Sequence, residues 1–94
     1  MTGEEVEQLI KEVSGQIDGL PDDPEKPLTR GQRHRKLVLQ LQRDTLERIQ
    51  EAKEKGNLMQ EIRAGMDYTL LEKYGEKHHF ILHFLSSRFR WSIY

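Results

Sequence analysis

The chain has 94 residues, 33% of them charged, and its acids and bases nearly cancel to a net charge of −1. It contains no cysteine, which excludes disulfide bonds, thiolate nucleophiles and cysteine-ligated zinc or iron–sulfur sites. One domain is expected, and at this length it buries only about 60–65% of its unfolded surface, so an oligomeric partner is expected to add stability.

The chain shows neither a targeting signal nor a membrane span. Its first twelve residues are acidic and amphipathic, unlike a secretory signal or a transit peptide. No stretch approaches the ~18 apolar residues of a transmembrane helix. The sequence therefore predicts a cytoplasmic protein that does not bind membranes.

Charge is distributed unevenly along the chain. Residues 1–28 carry eight acids and two lysines, a balance of −6, whereas residues 29–43 carry five basic residues and no acid, a balance of +5. Because opposite charges attract, we expect the acidic segment to lie near the basic one, within the same chain or across a dimer.

The N-terminal segment predicts an amphipathic helix over residues 3–19, followed by a connector over residues 20–28. Thr2 and Glu5 have the spacing of a capping box. Gly15 either lets a neighbouring helix approach or weakens the helix by about 1 kcal/mol relative to alanine. Three prolines in the connector cannot continue a helix and favour an extended, semi-rigid arm. The apolar residues recur at helical spacing; they are Val6, Leu9, Ile10, Val13, Ile17 and Leu20.

The longest predicted helix covers residues 29–55 and organises the rest of the chain. Thr29 and Gln32 form a capping-box pattern, and Gly56 can take the left-handed conformation that ends helices. The apolar arc spans roughly 200° of the circumference, wider than the ~100° stripe of a surface helix, so we expect packing from two sides. Its central face contains Val38, Leu41, Thr45, Ile49 and Ala52, flanked by Leu37, Leu39 and Leu46.

A third helix is predicted over residues 57–74, with Asn57 as its N-cap. The two-residue turn Gly56-Asn57 predicts that the second and third helices form an antiparallel hairpin. Tyr74-Gly75 is interpreted as a stop, or as a weak point in a longer helix. The apolar face of the third helix contains Leu58, Met59, Ile62, Met66, Thr69 and Leu70, with Gly65 at its edge and Tyr68 and Leu71 on the other side.

The C-terminal segment is the hardest to assign. Over residues 78–85 the pattern fits a helix or a strand, because periodicity does not separate the two over so short a run. We predict a helix over residues 76–86, since Ser86-Ser87 lacks the glycine or asparagine of a tight hairpin. Residues 88–94 alternate and predict a short, extended aromatic tail. The predicted fold class is therefore all-α, a small helical bundle built on the antiparallel hairpin.

The aromatic tail is the first candidate site. Phe89, Trp91, Ile93 and Tyr94 lie in it, and tryptophan and tyrosine are enriched where proteins meet partners. The alternative is that the tail closes the core of its own chain. In a symmetric dimer it can also complete the core of the other subunit.

A basic set gives nucleic-acid binding as an alternative function. Cations neutralise phosphates, and Trp91 can stack on a base. A solvated helix face explains the same residues, and no helix-turn-helix or RNA-binding signature accompanies them. The set contains Arg30, Arg33, Arg35 and Lys36 at the start of the long helix, with Arg88 and Arg90 in the tail.

A third set suggests a metal site. Glu76, His79 and His83 share one face if residues 76–86 are helical, and two imidazoles with a carboxylate can hold zinc or iron. Di-iron bundles need a second such motif, whereas this chain has one copy, and solvated histidines explain the pattern more simply. We therefore predict no cofactor.

The function predicted from the sequence is a small interaction or assembly module. We find no nucleophile turn and no glycine-rich phosphate loop in the sequence, so no catalytic activity is expected. The wide arc of the second helix and the two apolar sides of the third exceed what a chain of this length can cover by itself. We expect it to associate with itself as a homodimer and with another protein.

Overall fold

The computed structural model describes residues 1–21 and 23–75, and these residues are all-α, which confirms the predicted class. They form three helices, α1 (Gly3–Asp18), α2 (Arg30–Lys55) and α3 (Leu58–Tyr74), with no β-strand among them. The predicted helix over residues 76–86 and the tail over residues 88–94 lie outside the described residues. Within the described part, none of the helices combines the length and apolar character that crossing a bilayer requires.

The ends of α2 and the start of α3 are determined by local side-chain and backbone chemistry. The predicted capping box is present: the Gln32 backbone N–H donates to Thr29 Oγ1 at 3.2 Å, and the Thr29 N–H donates to Gln32 Oε1 at 2.9 Å. Gly56 ends α2 in the left-handed conformation, with φ +67°. Asn57 then caps α3, because its Oδ1 accepts from the Gln60 N–H at 3.2 Å.

The connector between α1 and α2 contains a turn, where the sequence predicted an extended arm. The Lys26 N–H donates to the Asp23 carbonyl at 3.0 Å, and the Glu25 N–H donates to Asp23 Oδ1 at 2.9 Å. Aspartate is favoured at the first position of a β-turn and proline at the second, which Pro24 occupies. The spacing of the prolines excludes a helix here but permits this local reversal.

Helix α2 lies at the centre of the molecule, and both α1 and α3 pack on it, as its wide apolar arc predicts. Val6 and Val13 of α1 and Ala64 and Tyr68 of α3 belong to one core cluster with α2. The buried residues of α2 are Val38, Leu39, Leu41, Thr45, Leu46, Ile49 and Ala52.

The end of α1 lies beside the start of α2 in the same chain. Arg35 Nη2 donates to Gln16 Oε1 at 3.4 Å. Lys36 borders a groove that Ile17 and Asp18 also line. The last turn of α1 therefore lies near the basic start of the long helix, and the side chain that accepts from Arg35 there is the uncharged Gln16.

Helix α3 packs on α2 through the smaller of its two apolar sides. Ala64 and Leu71 are each 1% exposed and Tyr68 is 6% exposed. The small Ala64 side chain permits close approach, while Tyr68 and Leu71 supply most of the apolar area that α3 buries. The larger apolar face that the sequence assigned to α3 points away from this contact.

Polar contacts along the helices join α2 to α3 and to Gly75, the residue that follows α3. Near the turn, Lys53 forms an ion pair with Glu61. Farther along, Arg48 Nη1 lies 3.7 Å from Asp67 Oδ2. Beyond the end of α3, His34 Nε2 lies 2.9 Å from the Gly75 carbonyl oxygen. Residues late in α2 thus contact residues early in α3, and residues early in α2 contact the segment that follows α3.

Gly75 follows α3 in a right-handed conformation, with φ −56°. A Cβ at this position would lie 2.6 Å from the Leu71 carbonyl oxygen and 3.0 Å from Val38 Cγ1. Glycine is therefore required here because a side chain would collide with the backbone of α3 itself and press on Val38 of α2, not because the chain makes a left-handed turn.

Candidate interaction surface

The outer face of α3 is the most apolar exposed surface that the structure describes. Met59 is 76% exposed, Met66 is 63% exposed and Ile62 is 51% exposed. Their spacing of three and four residues places them on one side of the helix, opposite the side that packs on α2. The outer face of α3 is defined here as Leu58, Met59, Ile62, Gly65, Met66, Thr69 and Leu70.

A groove lies along this outer face, and Gly65 is at its edge. The space above Gly65 is open, since an added Cβ there would meet nothing within 4 Å. The surrounding groove has a volume of about 420 Å³ and is lined by Ile62, Met66, Thr69 and Leu70 as well as Gly65. The Thr69 hydroxyl donates to the Gly65 carbonyl at 2.9 Å. Its polar group is thereby satisfied within the helix.

Charged residues border the outer face without entering it. Arg63 and Glu72 are exposed, and helical geometry places them at opposite edges of the face. Lys73, also exposed, lies at its C-terminal end. An apolar centre with a charged rim is the usual composition of a protein–protein interface.

The inner side of α3 contains buried polar groups that contact other helices. Asp67 is fully buried beside Arg48, and removing one partner of such a pair leaves an uncompensated charge. Burial raises the pKa of Tyr68. The Glu72 carboxylate, which accepts a hydrogen bond from the Tyr68 hydroxyl, raises this pKa further, and so does the Glu12 carboxylate. Asp67 and Tyr68 contribute to the packing of α3 and are not accessible to a ligand.

A polar groove lies on α2, away from the outer face of α3. It has a volume of about 370 Å³ and is lined by Gln40, Arg43, Asp44 and Glu47. The lining combines both charge signs on one helix, which is typical of a solvated helix surface.

The basic set from the sequence is divided by the fold. Arg30 and Arg33 are exposed at the start of α2. Arg35 donates to Gln16 of α1, and Lys36 is half-buried beside Asp18. Two of the six predicted residues thus lie toward the end of α1, two are exposed, and Arg88 and Arg90 lie outside the described residues.

The two other predicted sets also lie outside the described residues. They are the aromatic set of Phe89, Trp91, Ile93 and Tyr94, and the metal set of Glu76, His79 and His83. Within residues 1–21 and 23–75, histidine, aspartate and glutamate side chains form no group of three that could hold a metal ion. In that same part of the chain, His34 is the one histidine, and it contacts a backbone carbonyl.

The helical spacing in the sequence predicted which residues form the outer face of α3, but it did not predict that they are exposed. The signal that could have identified the exposed side was present, because Tyr68 and Leu71 lie together on the opposite side of α3. Tyrosine and leucine bury large apolar areas, and a polar residue between them can reach a partner on a neighbouring helix.

No protein family, curated protein sequence or solved structure matches this chain. Function is therefore inferred from the chemistry of its surfaces.

Proposed function

We propose that this protein is a small interaction or assembly module with no catalytic activity of its own, and that its main contact surface is the outer face of α3. The observation that carries the proposal is the exposure of Met59, Ile62 and Met66, each more than half accessible on one helix face. Contiguous exposed apolar patches with a polar rim mark interaction sites in folded proteins.

The energetics of the outer face favour its burial by a partner. Fully burying a methionine, leucine or isoleucine side chain contributes about 1.5–3 kcal/mol, so covering a side chain that is half exposed contributes about 1 kcal/mol. Leu58, Met59, Ile62 and Met66 are all at least half exposed. Their combined burial offsets a substantial part of the entropy lost on association.

The proposal includes an antiparallel hairpin of α2 and α3 as the scaffold of this surface. It is supported by the order of the cross-helix contacts, in which Lys53 pairs with Glu61 and Arg48 with Asp67. The inner side of α3 is used for this contact, which leaves the outer face available. We further propose that the aromatic tail, residues 88–94, extends the contact surface, since tryptophan and tyrosine are enriched at interfaces.

The test compares Met66→Lys with Gln8→Lys, a matched control on an exposed position of α1. Both variants add one positive charge, and Gln8 already contacts Glu12 one turn later. For the full chain we measure molar mass by light scattering and the binding of an apolar fluorescent dye. We expect the wild-type chain and Gln8→Lys to associate or to bind dye, and Met66→Lys to lose most of either signal while keeping its helical circular dichroism.

A chain that is monomeric and binds no dye would show that the outer face is covered within the monomer, which contradicts the proposal. Equal signals from Met66→Lys and the wild type would also contradict it, because the contact would then lie elsewhere.

A further inference from the structure

The contact between α2 and α3 has two flanks, and α1 covers one of them. Leu39 and Leu46 of α2 share a core cluster with Val13 of α1. On α3, Tyr68 belongs to the same cluster, and the Glu12 carboxylate of α1 is close enough to raise its pKa. Helix α1 therefore lies over this flank of the contact.

The far flank of the α2–α3 contact is buried as well. Leu41 follows Leu39 by two residues, which places it about 160° away round α2. Asp67 lies about 100° round α3 from Tyr68 and contacts Arg48. Two packed helices meet along one stripe of each surface, so both flanks stay open unless a third element covers them. Leu41 and Asp67 are nevertheless each 0% exposed. The far flank is defined here as Leu41, Asp44, Arg48 and Asp67.

The segment that covers the far flank belongs to the same chain and follows α3. The flank is buried within a single copy of the protein, which excludes a second copy as its cover. The connector between α1 and α2 is too short, because both of its ends lie at the start of α2. Arg48 is about 27 Å along α2 from Arg30, whereas a connector over residues 19–29 spans at most about 40 Å and would have to run out and back.

The segment after α3 begins at the correct level of α2. His34 Nε2 lies 2.9 Å from the Gly75 carbonyl oxygen, and a Cβ on Gly75 would lie 3.0 Å from Val38 Cγ1. From Val38 to Arg48 is about 15 Å along the axis of α2. Residues 76–86 span about 16 Å in the helix that the sequence predicts. Running back along α2, they reach from Gly75 to Arg48.

The chemistry of residues 76–86 matches the far flank. Their apolar side chains suit Leu41 and recur at the spacing of one helix face. The same residues include three histidines, whose ring N–H groups donate to carboxylates, and the far flank offers the carboxylates of Asp67 and the half-buried Asp44. The apolar residues are Phe80, Ile81, Phe84 and Leu85.

We propose that residues 76–86 pack on the far flank of the α2–α3 contact, opposite α1. In this arrangement α2 is surrounded by three other segments, and the outer face of α3 stays uncovered. The inference goes beyond the proposed function, because it concerns a different surface and an occupant from the same chain.

Nuclear Overhauser contacts in the full wild-type chain test the inference directly. We expect the ring protons of Phe80 and Phe84 to contact the methyl groups of Leu41 and not those of Leu46, which lies on the α1 side. Ring contacts with the Met66 methyl group would overturn the inference and also contradict the proposed function, since the outer face of α3 would then be covered. If the rings contact neither α2 nor α3, the inference fails and the proposed function stands.

Thiol labelling of cysteine variants adds a measurement in which the cover is removed. The chain has no cysteine, so Leu41→Cys and Leu46→Cys each carry one thiol, and both leucines are 0% exposed. We expect Phe84→Asp to speed the labelling of Leu41→Cys by about tenfold or more through local opening, and to leave Leu46→Cys protected. Phe89→Asp, in the tail, is the matched control and should change neither rate.

Protection of Leu41→Cys that Phe84→Asp does not alter would show that another segment covers the far flank. Should a variant fail to fold, the ring contacts of Phe80 and Phe84 in the wild-type chain still decide the inference.

Discussion

Gly75 is constrained by its neighbours, although its backbone angles suit any residue. Since an added Cβ would lie 2.6 Å from the Leu71 carbonyl and 3.0 Å from Val38 Cγ1, either α3 or Val38 must move. We expect Gly75→Ala to lower the free energy of unfolding by about 1–3 kcal/mol, the usual cost of overpacking. Thermal and urea denaturation, monitored by circular dichroism, measure this change.

Gly15→Ala is the matched control for Gly75→Ala, because it makes the same chemical change in an open site. An added Cβ at Gly15 meets nothing within 4 Å, so no neighbouring helix requires the glycine. Alanine is favoured over glycine within a helix by about 1 kcal/mol. We expect Gly15→Ala to stabilise the protein, and a destabilisation of equal size in both variants would contradict the packing argument.

Tyr68 makes stability depend on pH in the alkaline range. Burial and the carboxylates of Glu72 and Glu12 raise its pKa above the ordinary value of 10.0. The folded state therefore binds the Tyr68 hydroxyl proton more tightly than the unfolded state does. The stabilisation that results is fully present below pH 10 and is lost as the pH rises through the folded-state pKa. We expect the unfolding free energy to fall above pH 10, and to fall less in Tyr68→Phe.

Tyr74→Phe is the control for this experiment, because Tyr74 is 42% exposed on the same helix. Urea denaturation at several pH values compares the slopes of Tyr68→Phe and Tyr74→Phe with that of the wild type. An unchanged slope in Tyr68→Phe would mean that another group, such as a lysine, causes the alkaline loss.

At the scale of the helices, the two ion pairs that join α2 to α3 differ in burial, and we expect them to differ in their contribution to stability. Asp67 is fully buried beside Arg48, whereas Lys53 and Glu61 keep 28% and 24% of their side-chain surface exposed. We expect Arg48→Met to destabilise the fold by about 3 kcal/mol, because the Asp67 charge loses a cation in a buried site. Lys53→Met should cost less than ~1 kcal/mol.

Urea denaturation of the two variants measures the difference. Both replace a basic side chain of α2 by methionine, so the loss of a positive charge is matched. Equal destabilisation by the two variants would be inconsistent with a special role for the buried Asp67.

The helices were predictable from the sequence because their ends depend on local chemistry. The hydroxyl of Thr29 and the left-handed angles of Gly56 act within four residues, and sequence spacing records such short-range bonds. The side of α3 that packs on α2 was not predictable in the same way. That choice depends on Ala64 permitting close approach and on Asp67 reaching Arg48, which requires knowing how the two helices face each other.

The connector between α1 and α2 was also predicted only in part. Proline spacing correctly excluded a helix, but the turn at Asp23 also depends on the Asp23 carboxylate accepting from the Glu25 N–H. The sequence predicted which residues share the apolar face of α3. It did not predict that this face is exposed, because exposure depends on how the whole chain folds.

For the whole molecule, association through the outer face of α3 predicts a stability that depends on concentration. A partner that binds the folded state and not the unfolded state raises the apparent stability by mass action. We expect the Tm of the wild-type chain to rise with protein concentration and the Tm of Met66→Lys to stay constant. Differential scanning calorimetry across a dilution series measures both, and a wild-type Tm independent of concentration would argue against self-association.

The outer face of α3 has a chemical consequence beyond its shape, because two of its most exposed side chains are thioethers. Peroxide converts methionine to a polar sulfoxide, a change that reductases reverse. Met59 and Met66 are 76% and 63% exposed, so oxidant reaches both sulfur atoms without unfolding. Oxidation would place polar oxygens in the centre of the proposed contact, and an association through this face would then depend on the redox state of its surroundings.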